Sequence, residues 1–154
     1  MMRRIWLKLG ATFFFTGYFP VAPATFASAV TLALWLWLPP ASPPVMISLL
    51  VFLAVVGTYF ADRAEAFMGH DAKPIVCDEV LGVLLTVAFL GHGWKLALAG
   101  FLLFRVLDIV KPPPAYQLQA LRGGYGIMAD DVMAGIYGNL LLQVVHHLRP
   151  EWLS

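Results

Sequence analysis

From Leu9 to Ala61 the chain carries no Asp, Glu, Lys or Arg. As a single helix such a stretch would run roughly 80 Å, at about 1.5 Å per residue, more than twice the thickness of a bilayer's hydrocarbon core. It must therefore fold back on itself. The cluster Pro39, Pro40, Ser42, Pro43, Pro44 marks the break, because proline lacks an amide donor and clashes with the preceding helical turn. Composition agrees: 60% of the 154 residues are apolar and only 12% are charged, which is more apolar surface than a soluble domain of this size can bury. A bilayer is the solvent that suits such a chain. Spans are expected near residues 26–38 and 45–61, with Ile5 to Phe19 as an interfacial or re-entrant segment ahead of them.

Three shorter apolar stretches lie further along, from Val80 to about Leu90, Leu96 to about Val110 and Val132 to about Val145. Each falls short of the ~20 residues that a full span needs. The neighbouring Asp78, Glu79, Lys111 and Asp131 are therefore expected to continue these helices at or just inside the membrane edge. The expected fold is all-α: one domain, residues 1–154, forming an integral membrane bundle of four or five membrane helices behind the N-terminal segment. Arg3, Arg4 and Lys8 before an apolar run, with small residues at Ala27 and Ser28, also resemble a cleaved secretory signal. Pro20 and Pro23 interrupt that run, and the residues beyond it are themselves membrane-like in composition.

A net charge of +1, with no basic run, gives no footing for nucleic acid as a partner. The single cysteine, Cys77, has no zinc-like spacing around it. The sequence carries no signal of oligomeric state. With the amino terminus in the cytoplasm, alternate loops place Arg3, Arg4, Lys8, Arg63, Lys73, Arg105, Lys111 and Arg122 inside, against Lys95 and Arg149 outside, as the positive-inside rule asks. The acids play no part in that assignment, yet Asp62, Glu65, Asp71, Asp78, Glu79, Asp108, Asp130 and Asp131 fall on the same side; only Glu151 does not.

The polar residues gather in three islands at helix edges: Thr16 to Ser28, His70 to Gly82 and Arg105 to Asp131. Ionisable groups at membrane depth are costly and tend to mark function. Asp78 and Glu79 are adjacent, so on a helix they point about 100° apart and can flank a site from two directions. One acid would be explained as a favourable charge in a helix's first turn; two ask for a ligand. Asp130 and Asp131 repeat the arrangement after the glycine loop Gly123, Gly124, Gly126, whose backbone amides could hold an anion. Asp130 alone would be explained as a helix cap. Arg105, Asp108 and Lys111 recur every third residue and would share one side of a helix that ends at Pro112, Pro113, Pro114. Thr25 and Ser28 read equally as helix caps or as phosphate contacts. His146, His147, Trp35, Trp37, Trp94 and Trp152 read as interfacial or packing residues.

Clustered carboxylates with a few cations and a glycine loop suit phosphoryl chemistry around Mg²⁺, a hard ion that takes oxygen ligands and bridges to phosphate. Neither a serine–histidine nucleophile setting nor a Walker loop is present. Over nearly its whole length the chain resembles the phosphatidylglycerophosphatase A family. The marks are the proline–alanine–proline segment with Thr25 and Ser28; Ile75, Val76, Cys77, Asp78, Glu79 and Gly82; Phe104, Arg105, Asp108, Lys111, Pro112 and Pro114; and Gly123, Gly124, Gly126, Ile127, Met128, Asp130, Asp131, Ala134 and Gly135. Ala24 and Ala27 stand where the family usually shows glycine, and Cys77 where an aromatic residue is common.

The resemblance implies Mg²⁺-dependent hydrolysis of phosphatidylglycerophosphate to phosphatidylglycerol at the cytoplasmic face of the bacterial inner membrane. Asp78, Glu79, Asp108, Asp130 and Asp131 would serve as metal ligands or general base. Lys73, Arg105 and Lys111, with Thr25, Ser28 and Gly124, would contact the lipid phosphate. The rival reading is a small transporter or channel that binds a cation through its intramembrane acids. It calls for polar groups along a path to both faces, and the outer halves of the expected spans hold almost none.

Overall fold

The computed structural model of the chain describes residues 2–69 and 72–153, with the side chains of Met2 and Arg3 left out. His70 and Asp71 of the second polar island, and the Arg3 side chain, lie outside the described residues. Among the described residues the architecture is all-helical, without strands. The helices are α1 (Met2–Ala11), α2 (Pro23–Trp37), α3 (Pro43–Met68), α4 (Cys77–Val87), α5 (Trp94–Val110), the single turn α6 (Ala115–Leu118) and α7 (Gly124–Leu148).

Five of these, α2, α3, α4, α5 and α7, run between two ends of a bundle. At one end the start of α2 meets the start of α4, where Ser28 Oγ lies 3.1 Å from Glu79 Oε2. There too Gly123, ahead of α7, packs against Asp62 near the end of α3. At the other end His92, between α4 and α5, lies 2.8 Å through Nε2 from the Trp35 carbonyl near the end of α2. His146 and His147 are exposed in the last turn of α7 at that far end. The segment from α1 to α2 belongs to the first end: the Val76 amide donates to the Ala11 carbonyl at 2.9 Å.

Helix boundaries obey local chemistry. α2 begins at Pro23, three residues before the expected start. A proline at the first helical position gives up an amide that would have had no partner anyway. Its N-cap is Ala22, with no side-chain cap, so Thr25 and Ser28 are not caps; they lie inside the first turns. α3 runs a further seven residues beyond the expected Ala61, carrying Asp62, Arg63 and Glu65 on continuous helix. α7 begins at Gly124, two turns before the apolar stretch that starts at Val132 and well ahead of the expected Asp131, after the N-cap Gly123, so Asp130 is no cap either. α5 stops at Val110, and Lys111 adopts the left-handed region, φ 47°, ahead of Pro112. Its side chain is therefore not aimed by the helical spacing that groups Arg105 with Asp108.

Only α3, at 26 residues, is long and apolar enough to cross a bilayer by length and composition among the described residues, so four or five such helices are not established. α4 has 11 residues, about 16 Å. The surface is nonetheless apolar over wide areas. Val45, Val51, Phe52 and Val55 on α3, Leu102, Val106 and Ile109 on α5, and Leu140, Val144 and Leu148 on α7 are all exposed. Large apolar side chains exposed on three helices are what a membrane or partner face presents.

Two features set α4 in place. It crosses α7 at glycines: a Cβ on Gly135 would lie 2.6 Å from the Gly82 carbonyl, and one on Gly82 would lie 2.9 Å from the Asp131 carbonyl. Backbones this close leave no room for side chains, as at small-residue crossings between membrane helices. The early stop of α4 exposes carbonyls that need donors. Asn139 of α7 supplies them, its Nδ2 lying 3.1 Å from Leu85 O, 3.2 Å from Thr86 O and 2.8 Å from Ala88 O.

Candidate active site

The α4–α7 crossing sets Glu79 and Asp131 beside each other, and α5 adds Asp108. One oxygen from each of Glu79, Asp108 and Asp131 lies within 4.8 Å of the others. These residues stand 29 and 23 positions apart in sequence (108 − 79 and 131 − 108) on three helices. Arg105, one turn before Asp108, braces the group: its Nη1 lies 2.6 Å from Glu79 Oε2 and 3.1 Å from Asp108 Oδ2. Ser28 Oγ approaches the same Glu79 oxygen at 3.1 Å and the Ala24 carbonyl at 3.0 Å. With one proton to give, the hydroxyl donates to one of them at a time. Glu79 Oε2 is thus held by two groups.

Asp131 is the deepest acid, 3% exposed, and its Oδ2 is fully buried with no hydrogen-bond partner among the described residues. An unpaired buried carboxylate oxygen is expensive, because the lost hydration is not replaced. Openness rises outward through the side chains: Glu79 8%, Asp108 12%, Arg105 16%, Lys111 22%. Lys111 Nζ lies 2.5 Å from Asp130 Oδ2, and the other oxygen of Asp130 accepts the Asp131 amide at 3.0 Å. Chemically this is a pocket of hard oxygen donors, lined by two cations and open on the Lys111 side. Such a set suits a divalent cation with an anionic ligand.

The sequence matches the Phosphatidylglycerophosphatase A family over residues 9–146, a range that contains every residue of this pocket. The chain belongs to that family. Among curated relatives, the Escherichia coli Phosphatidylglycerophosphatase A is 35% identical over 141 residues, 89% of this chain and 81% of that protein. Its Haemophilus influenzae namesake is 39% identical over 104 residues, 64% of each chain. A Bacteroides thetaiotaomicron protein, provisionally named a phosphatidylinositol-3-phosphatase, is 36% identical over 141 residues, 86% of this chain and 89% of its own. No solved structure matches the chain.

For this member of the phosphatidylglycerophosphatase A family, the residues singled out from sequence divide into three groups. Glu79, Asp108 and Asp131 converge, with Arg105 and Ser28 bonded to Glu79. Asp130 and Lys111 form a pair of their own at the edge of the same pocket. The remainder are not members of the trio. Asp78 is buried in the first turn of α4, outside the converging group. Lys73 is exposed in the loop before α4. Thr25 is half-buried one turn before Ser28. Gly124 is buried where α7 meets α3: a Cβ there would strike the Thr58 carbonyl and lie 2.7 Å from the Asp62 amide. Close helix packing thus explains that glycine. Asn139, which holds the end of α4, is not singled out by the sequence; its only signal is an amide side chain within the apolar stretch of α7, one of two there with Gln143.

Proposed function

We propose that the protein is a Mg²⁺-dependent lipid phosphatase that hydrolyses phosphatidylglycerophosphate to phosphatidylglycerol and inorganic phosphate. Family membership supports the substrate. The observation that carries the chemistry is the convergence of Glu79, Asp108 and Asp131 from three helices, with a buried, unpartnered oxygen on Asp131. Oxygens on opposite sides of one magnesium ion are about 4.2 Å apart, and around calcium up to about 5.2 Å. A trio within 4.8 Å falls inside the calcium span and close to the magnesium one, and its all-oxygen donor set is the kind magnesium prefers. Glu79, Asp108 and Asp131 would hold the ion. When bound, it neutralises phosphate charge and polarises the phosphoryl oxygens.

The chain's own groups do the rest. Arg105 keeps Glu79 and Asp108 in position and lies where charge on the phosphoryl oxygens develops. Lys111, the most open of the charged groups, meets the incoming phosphate at the pocket edge. Water adds its oxygen to phosphorus and gives up a proton to a carboxylate of the pocket. The phosphorus–oxygen bond to the glycerol breaks, and that glycerol oxygen takes a proton.

The bundle is read as multi-pass in the bacterial inner membrane with the pocket facing the cytoplasm. The pocket end carries Arg4, Lys8, Arg63, Lys73 and Arg122, against Lys95 and Arg149 at the other, in keeping with the positive-inside rule. Short helices such as α4 then lie within the membrane with their ends satisfied by neighbours. A transporter would need polar groups continuing toward the far end. There Thr86 and Asn139 are bonded to backbone carbonyls.

Phosphate release by the purified protein in detergent, on a short-chain phosphatidylglycerophosphate, tests this reading. Turnover is expected with Mg²⁺, is lost on chelation and returns on re-addition. Glu79→Gln is expected to be inactive while still folding, and phosphatidylinositol-3-phosphate to be the slower substrate. Undiminished turnover after chelation, or in Glu79→Gln, would sink it.

A further inference from the structure

We infer that Asp130 is a positioning residue that holds Lys111 ready for the substrate's phosphate, and is not a ligand of the metal ion; the inference rests on the phosphatase reading above. Asp130 and Asp131 are neighbours on α7, so their side chains leave the helix about 100° apart. Asp131 joins the trio with Glu79 and Asp108. Asp130 turns toward the end of α5, and both of its oxygens are engaged: Oδ2 by Lys111 Nζ at 2.5 Å and Oδ1 by the Asp131 amide at 3.0 Å. It stands outside the converging trio and is committed to Lys111, in contrast to Asp131, which belongs to the trio and whose Oδ2 has no partner among the described residues.

Lys111 needs such a partner. It sits past the helix in a left-handed conformation, so no helical register fixes its direction, and its long side chain is flexible with a compact charge at the tip. Three residues earlier is Asp108, a member of the trio. Without Asp130, the ammonium would lose the one side chain it is bonded to and would have no fixed position at the pocket edge. An ammonium has three donors; one is used at Asp130, and two remain for a phosphate. Arg105 differs, because it is bonded directly to members of the trio.

The full chain in detergent, titrated with Mn²⁺ and monitored by electron paramagnetic resonance, separates the two roles. Asp131→Asn is expected to lose Mn²⁺ binding, whereas Asp130→Asn and Lys111→Met keep it. In kinetics, Asp130→Asn and Lys111→Met should each raise KM for the short-chain lipid roughly tenfold, the scale of one charge-assisted hydrogen bond, with a smaller change in kcat. The double variant should be no worse than Lys111→Met alone, since the acid acts through the lysine. Loss of Mn²⁺ binding in Asp130→Asn, or a double variant whose defect is the product of the single ones, overturns the inference. Failure of the phosphatase reading itself would appear in the wild-type arm, as absent Mn²⁺ binding or absent turnover. Failure of the Asp130 role appears only in the variants relative to wild type.

Discussion

Where α4 stops, Asn139, Thr86 and His92 all direct their hydrogen bonds to backbone carbonyls, whereas at the opposite end Glu79, Arg105, Asp108, Lys111 and Asp130 form ion pairs with one another, Arg105 to Asp108 within α5 and the other two between segments. The first set completes helices that end in an apolar setting, and it holds no Asp, Glu, Lys or Arg. The second is charged, spans α4, α5 and α7, and leaves Asp131 Oδ2 without a partner. Since the same fold satisfies a difficult helix end with one amide side chain, the unsatisfied oxygen is not a general fault of packing. It lies beside Glu79 and Asp108, where a buried oxygen of this kind fits a site that takes a ligand.

The largest expected effect separates these two uses of polar groups. Asp131→Asn keeps the shape but removes a buried carboxyl group that faces Glu79 and Asp108. Activity should fall by about two orders of magnitude or more, the scale of losing one pre-set electrostatic group in a reaction centre. Stability without metal should stay the same or rise, because like-charge repulsion and an unpaired buried carboxylate are both relieved. Phosphate release and thermal unfolding in chelator, on the same preparations, check both signs. A variant that is active, or one that unfolds far more easily than wild type, would make Asp131 a structural residue like Asn139.

The acidic doublets were legible in the sequence because charges on apolar helices are rare enough to stand out, and so were the breaks at Pro39–Pro44 and Pro112–Pro114. Which acid of each doublet turns inward was not. Periodicity fixes the angle between neighbours but not the rotation of the helix, and that rotation is set by the contact of Gly82 with Gly135. Apolar runs alone set the starts of α2 and α7 too late, whereas Pro23 and Gly123 decide where the helices begin. Lys111 looked like a third member of the Arg105–Asp108 stripe, yet the proline after it ends the helix first. The membrane-helix count rested on apolar runs too, and a helix as short as α4 owes its place to Asn139, a contact between residues more than fifty positions apart.

At the far end the expected effect is smaller and falls on folding alone. Asn139→Leu is close in volume but removes the donor that serves Thr86 O and Ala88 O. Leaving buried carbonyls without partners costs about 1–3 kcal/mol. The thermal midpoint in detergent should drop, while turnover per folded molecule and Mn²⁺ affinity stay near wild type. A specific loss of turnover with unchanged stability would instead tie this end of the bundle to the chemistry.

The smallest effect is expected at Ser28, which stands on the border between the two behaviours, within bonding distance of both a backbone carbonyl and Glu79. Ser28→Ala removes one of the two donors that hold Glu79 Oε2. Arg105 remains at 2.6 Å, so the carboxylate keeps its charged partner. The loss should be near the net worth of one ordinary hydrogen bond to a charged group, about 1–1.5 kcal/mol, or roughly tenfold in kcat/KM. Because the hydroxyl acts through Glu79, its removal in a Glu79→Gln background should cost little more. Measuring kcat/KM in the four proteins of that cycle decides the matter. Additive losses would mean that Ser28 contacts the substrate itself, and an unchanged single variant would mean that its proton goes to Ala24 O, as the hydroxyls at the far end do.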